Sequence, residues 1–322
     1  MSENKLMSMK EAIGKFVHAG DFLALGGCTT GRKPYAAVSE IIRQGIKDLY
    51  IHGGNGGGDM DLLIGTGSCK VYINAYTANS GITNVSRRFR KFIEQNKILY
   101  EDYSLDVQSI IFHGAALGFP YVPIKHMLGS DLVEKWGISE EIRKKDPKLP
   151  DKKLMVAENP FNPGETLCLV PIPEIDVAIV HVQKAALDGT ARIEGSIFSD
   201  LDMAMAAKHC IVTCEELVDV DEIRREPYRN TIPCLVTDAV VLAPFGAHPS
   251  QCYNYYDYDR EFFRMYDKVS GDDLLFDAFI QEWIMDCEDN MKYLEKLGTR
   301  RLNSLKVIDG IGYAPVSMKG VV

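Results

Sequence analysis

The feature that most limits how this chain can fold is a series of short runs that are apolar at nearly every position: DFLALGG (21–27), DLYIHGG (48–54), CKVYINAY (69–76), DVAIVHVQ (176–183), CIVTCEE (210–216) and AVVLAPFGA (239–247). A strand with one wet face alternates apolar and polar residues. A strand apolar on both sides needs cover on both. Segments with helical periodicity stand between the runs, among them PYAAVSEIIRQG (34–45), NVSRRFRKFIEQN (84–96), DLDMAMAAKH (200–209) and VDEIRRE (220–226), and the apolar DVQSIIFHGAALG (106–118) falls in the same succession. The pattern predicts an α/β fold: an open, mostly parallel wound sheet with helices on both faces. At 322 residues the chain is long enough to bury a sizeable core, and it reads as a single domain over 1–322.

Two stretches depart from this alternation. From 130 to 165, a segment containing EEIRKKDPKLPDKKLMVAENPFNPGE crowds charge and four prolines together. It reads as a long irregular surface excursion joining two halves of the sheet. Near the other end, DDLLFDAFIQEWIMDCEDNMKYLEKLG (272–298) has helical spacing at Leu274, Leu275, Ala278, Phe279 and Trp283, a stripe suited to core or subunit contact.

The first strand runs into DFLALGGCTTGRKPYAAV (21–38), where paired glycines, two hydroxyl residues, a third glycine and two cations precede Pro34, placed to open a helix. Such a junction turns backbone N–H groups toward an anion. A nucleoside triphosphate loop needs Gly-Lys followed by a hydroxyl residue; here Arg32 is inserted and Lys33 is followed by Pro34. A dinucleotide loop needs G-x-G-x-x-G; Thr29 stands where the second glycine belongs, and HGGNGGGDM (52–60) puts Asp59 at the third. What remains is G-G-x-x-x-G-x-x-P.

A net charge of −9 argues against nucleic acid or an anionic membrane as partner. No apolar window approaches the roughly 18–20 residues of a membrane span, and the N-terminus lacks the apolar region of a secretory signal. The eight cysteines form no CxxC pair and sit mostly in apolar runs. A reducing, cytoplasmic setting is expected, with no metal site: Cys210 and Cys214 beside His209 read as a buried strand. His113 and His181 read as core residues, and His52 and His248 as loop residues able to line a cleft.

The loop resembles the oxyanion segment of the family I CoA-transferases, (G)G-F-x-x-x-G-x-P with minor spacing variation, with Cys28 where many members carry an aromatic. Five further segments extend the likeness in order, YINAYTANSGITNVSRRFRK (72–91), EKWGISEEIRK (134–144), DVAIVHVQKAALDGTARI (176–193), IVTCEELV (211–218) and DAVVLAPFGAHPSQCY (238–253). Together they are similar to the α (A) subunits of glutaconate CoA-transferases along essentially the whole chain.

The resemblance implies the family I fold and a ping-pong transfer of CoA between an acyl-CoA such as acetyl-CoA and a carboxylic acid, with glutaconate or a related dicarboxylate expected. It implies that the nucleophilic glutamate belongs to a β subunit, in an S-E-N-G-like motif that this chain lacks; its nearest string is AENP at 157–160. CoA and acyl-CoA are substrates, and no cofactor is implied. Gly26, Gly27 and Cys28 are the expected oxyanion donors. Thr29, Thr30, Gly31, Tyr76, Asn79, Ser80 and Arg87 are the expected substrate contacts, with Ser80 foremost and the helix near it capped by Thr83 or Asn84. In the 84–96 helix, Val85, Phe89, Phe92 and Ile93 share one face and Arg88 and Lys91 point outward. Arg32 and Lys33 are weighed between a substrate contact and a solvated basic surface. A related acyl-CoA thioester or ring-cleaving hydrolase subunit, and a non-enzymatic CoA-ester binder, are the rival readings.

Overall fold

The computed structural model describes residues 4–315. In chain order the strands are β1 Phe22–Leu25, β2 Leu49–Gly53, β3 Asn55–Gly56, β4 Cys69–Asn74, β5 Tyr76–Thr77, β6 Leu99–Asp102, β7 Tyr121–Ile124, β8 Met155–Glu158, β9 Thr166–Pro171, β10 Ile175–Ala186, β11 Ala191–Arg192, β12 Ala207–Val218 and β13 Ala239–Leu242. The helices are α1 Met9–Phe16, α2 Tyr35–Arg43, α3 Gly58–Gly65, α4 Arg87–Glu94, α5 Leu105–Ala116, α6 Asp131–Glu134, α7 Glu140–Arg143, α8 Asp200–Ala206, α9 Val220–Arg225, α10 Arg260–Ser270, α11 Asp273–Ile280, α12 Asn290–Leu297 and α13 Thr299–Leu305.

An eight-stranded sheet has the order β13-β12-β10-β1-β2-β4-β6, with β11 folded back on β10. Along that order every neighbouring pair is parallel. All of β1 is buried, and its side chains divide by period two. Leu23 and Leu25 pack with α1, α2, α3 and α10, whereas Phe22 and Ala24 pack with α5 and α8. Cover on both faces is what the doubly apolar runs require.

The chain leaves β1 in one direction through β2, β4 and β6, then crosses to β10 on β1's other side and continues through β12 to β13. The order reverses between β1 and β10. In an open parallel sheet this reversal opens a crevice at the C-terminal ends of the strands, the usual place for a ligand. The glycine loop lies there.

The structure corrects several local expectations. KILYED (97–102) supplies the edge strand β6, whose mixed composition the apolar-run pattern passes over. The 130–165 segment is not irregular throughout: it carries α6, α7 and β8, and β7-β9-β8 form a separate antiparallel sheet. Its anchor is Glu101, which binds Arg143 and lies 3.2 Å from Lys153 Nζ, all three side chains essentially buried. The 272–298 segment is not one helix. A π-helical turn over Gln281–Met285 interrupts it, and Asp289 caps a fresh start by accepting the Lys292 N–H at 2.9 Å. Leu274 and Leu275 are exposed, while Phe276 and Phe279 are the buried pair.

Candidate functional site

Three loops leave the C-terminal ends of β1, β2 and β4 and meet above the sheet. The second and third are joined by the short parallel pair β3 and β5, in register Asn55 with Tyr76 and Gly56 with Thr77. The first is tied to the second: the Thr29 N–H donates to the Asn55 carbonyl at 3.0 Å, and Asn55 Nδ2 lies 3.3 Å from Cys28 Sγ. All three converge on Gly57. A Cβ at that position would stand 2.8 Å from both the Thr29 carbonyl and Asn79 Oδ1, so only glycine admits this approach.

Beyond β13, the Gln251 segment closes the first loop from the other side: its N–H donates to the Thr30 carbonyl at 2.9 Å, and its carbonyl accepts the Arg32 N–H at 2.8 Å. Phe198 lies against Gly31, its ring 3.4 Å from where a Cβ would be. Thr29, Thr30, Gly31, Tyr76 and Asn79 are thereby gathered at one crevice, with Thr29 and Thr30 half-buried and Tyr76 and Ser80 exposed. Asn79 is buried, its Oδ1 accepting the Gly58 N–H at 2.9 Å.

The three expected oxyanion donors already have partners inside the chain. The Gly26 N–H continues the ladder to Ile179 O at 2.9 Å, and the Cys28 N–H closes a tight turn on Gly31 O at 2.9 Å. The Gly27 N–H donates to Asp200 Oδ1 at 2.6 Å. A donor at the loop tip that meets no acceptor among the described residues is the Thr30 N–H. Satisfied backbone groups are the rule in buried loops, and glycine content alone does not reveal which are left over.

Arg32 and Lys33 are neither solvated nor open to substrate. Arg32 Nη2 pairs with Asp200 Oδ2 at 2.6 Å, and Nη1 donates to the His181 carbonyl at 2.7 Å. Lys33 Nζ pairs with Asp59 Oδ2 at 3.0 Å, both side chains fully buried. Asp59 Oδ1 accepts the Gly57 N–H at 2.9 Å. Each adjacent cation therefore neutralises an acid that also grips a glycine N–H. Sequence reasoning missed Asp59 and Asp200. The usable signal was two cations inside an apolar strand-to-helix junction, which cannot be buried without two counter-charges.

Arg87 does not join the crevice contacts: its guanidinium is half-exposed and binds Asp267 on α10 at 2.9 Å. The helix cap is Ser86, since α4 starts at Arg87. Arg88 is buried, not outward, because α11 packs there; it pairs with Asp273 and lies 4.2 Å over the Phe276 ring. Glu158 on β8 is exposed and accepts the Gly164 N–H. His113 is exposed beside Asp202, and His52 is buried against Phe112, where burial pushes its pKa down to about 3. His248 is likewise buried, held between Tyr293 and Asp259.

His181 is buried as expected and bonds Glu215 at 2.6 Å. Glu215 also accepts from Tyr256 Oη at 2.6 Å and from the Phe245 N–H at 2.7 Å. His181, Glu215 and Cys252 have potential ligand atoms within 4.8 Å of one another, but hydrogen bonds already close the His181–Glu215 contact. Cys210 and Cys214 are buried in β12 as expected, with His209 partly exposed beside them. No helix among the described residues is long and apolar enough to cross a membrane.

Residues 6–243 match the family model for coenzyme A transferase. The chain belongs to the coenzyme A transferase family. It is 58% identical over 310 residues to the α (A) subunit of glutaconate CoA-transferase from Acidaminococcus fermentans, covering 96% of this chain and 97% of that protein. It is 31% identical over 296 residues to the corresponding (A) subunit of 3-oxoadipate CoA-transferase from Pseudomonas knackmussii, covering 91% and 98%. The crystal structure of glutaconate coenzyme A-transferase from A. fermentans superposes with a TM-score of 0.96 at 57% identity, covering 98% of this chain and 99% of that one. The α/β fold with its parallel sheet is therefore the fold of a CoA-transferase subunit.

Proposed function

We propose that this chain works as the α subunit of a heteromeric CoA-transferase that moves CoA from an acyl-CoA such as acetyl-CoA to a dicarboxylic acid, glutaconate being the first candidate. The observation that carries the dependence on a second chain is the state of the carboxylates around the loop. Asp200 is bound by Arg32 and the Gly27 N–H, Asp59 by Lys33 and the Gly57 N–H, and Glu215 by His181, Tyr256 and the Phe245 N–H. Each is neutralised or saturated with donors, and a carboxylate in that state is a poor nucleophile. We infer that the free carboxylate comes from a partner, and relatives that are each named as one subunit of a CoA-transferase fit that reading.

In this reading the partner's glutamate attacks the thioester, giving a mixed anhydride and then a glutamyl-CoA thioester, from which the acceptor acid collects CoA. Each attack at a carbonyl or thioester passes through an oxyanion, and a preorganised N–H donor facing it is worth roughly 3–4 kcal/mol. The 26–31 loop supplies the donor, with the Thr30 N–H at its tip. Thr29, Tyr76 and Ser80 line the crevice for the acyl group. A dicarboxylate is favoured because glutaconate and 3-oxoadipate, in the relatives' names, both carry two carboxylates.

The test is to purify this chain with and without the product of the neighbouring reading frame. Acyl-CoA formation from acetyl-CoA is then measured against a panel of mono- and dicarboxylates. The complex should transfer CoA to dicarboxylates without net release of free thiol, and the chain alone should not. Release of free CoA with no new acyl-CoA would replace the transferase with a hydrolase.

A further inference from the structure

Asp200 lies 173 residues from Gly27 in sequence, yet its Oδ1 accepts the Gly27 N–H at 2.6 Å. Its other oxygen binds Arg32 at 2.6 Å, with both side chains almost fully buried. Gly27 has φ +72°, in the left-handed region that favours glycine. Gly26 is different: a Cβ there would stand 2.6 Å from Asp200 Oδ1 and 2.6 Å from Val180. The first glycine of the pair is thus required by the carboxylate behind the loop, and the second by the turn that the carboxylate holds. Arg32 then ties the same acid to the His181 and Ser196 carbonyls, each at 2.7 Å. The loop tip, Cys28 to Thr30, is suspended between this anchor and the Asn55 and Gln251 contacts.

We propose that Asp200 is a positioning residue for the reaction: clamped by Arg32, it fixes the Gly27 turn and so sets where the Thr30 N–H points. The role rests on the transferase reading given above, but the clamp itself is a property of this chain and can be read without turnover. A misplacement of about 1 Å at a reacting centre costs on the order of 10²-fold in rate, which sets the size of the expected effect.

The test compares two charge-neutral pairs in the complex with its partner chain, D200N/R32M and D200A/R32M. Both remove the buried ion pair together, which avoids stranding a lone charge. Asparagine keeps an oxygen for the Gly27 N–H, whereas alanine does not. Amide exchange of the peptide spanning 26–33 should be at least about tenfold faster in the alanine pair. Its kcat should be about 10²-fold lower than that of the asparagine pair, with KM for acyl-CoA within about threefold, a split that general destabilisation does not produce. Equal exchange in the two pairs, or kcat values within about threefold of each other, would overturn the proposal. If the alanine pair does not fold, D200E keeps the charge for Arg32 but carries the carboxylate one methylene past Gly27, and it must show the same exchange and kcat changes relative to wild type. A wild-type complex that exchanges as expected but transfers no CoA would overturn the transferase reading and leave the clamp standing.

Discussion

Gly27→Ala is the substitution through which loop geometry can be read most directly. At φ +72° an L side chain is strained, by about 1–2 kcal/mol for left-handed backbone. The added Cβ would also stand 2.6 Å from the Arg32 carbonyl carbon and oxygen, and closer still to the Gly31 carbonyl. These are backbone atoms and cannot rotate away. Ordinary contact begins at 3.4 Å, so the loop must move by more than about 0.8 Å. Its neighbours, Asp200 on one side and Gln251 on the other, hold against that movement. A shift of this size at the oxyanion donor should lower kcat by about 10²-fold, or about 2.7 kcal/mol in the barrier. Stability should fall by only the local strain, a few degrees in Tm. The assay is steady-state CoA transfer by the reconstituted complex, with thermal unfolding of the same preparation. A folded complex with kcat within about threefold of wild type would show that the loop takes no part in the reaction.

Other substitutions separate the roles of nearby charges. Lys33→Met leaves Asp59 buried without its cation and should cost about 3–5 kcal/mol in denaturant unfolding. K33M/D59N should recover most of that loss, and equal losses in the two would refute the pairing. Asp61 is fully buried, and burial pushes its pKa from 3.8 up to about 6. The folded value lies above the unfolded one, so the protonated form is favoured on folding and its contribution is lost as pH rises from about 4 through 6. Two pKa units correspond to about 3 kcal/mol. Wild-type stability should therefore fall by about that amount relative to Asp61→Asn between pH 4 and 7, and a constant difference would contradict the assignment. Arg87→Ala breaks a surface pair with Asp267 and should cost less than about 1 kcal/mol, with KM for the acid within about twofold. A tenfold rise would return Arg87 to the substrate contacts.

The sheet was legible because doubly apolar runs admit few arrangements, and β1, β2, β4, β10, β12 and β13 all fall on them. The strand β6 was not, because its Glu101 is buried by pairing with Arg143 and Lys153 from later in the chain, which an apolar-run pattern does not register. The loops of the crevice were legible from the glycines and the short polar cluster at Tyr76–Ser80. Their internal bonding was not, since the acids that hold Gly27 and Gly57 lie at Asp200 and Asp59, and only the tertiary fold brings Asp200 within reach. The same limit reversed the reading of Arg32, Lys33 and Arg88. A cation in sequence looks available, and its burial against a partner from another element appears only in three dimensions. In the 130–165 segment the prolines masked order that depends on Glu101, well upstream.

In the proposed transferase this chain shapes the site while another chain carries the nucleophile. This division is tested most directly by incubating the complex with acetyl-CoA alone and weighing each intact chain by mass spectrometry. The expected result is a CoA thioester on the partner and none on this chain, discharged by a dicarboxylate acceptor. An adduct on this chain, or CoA transfer by this chain without its partner, would contradict it.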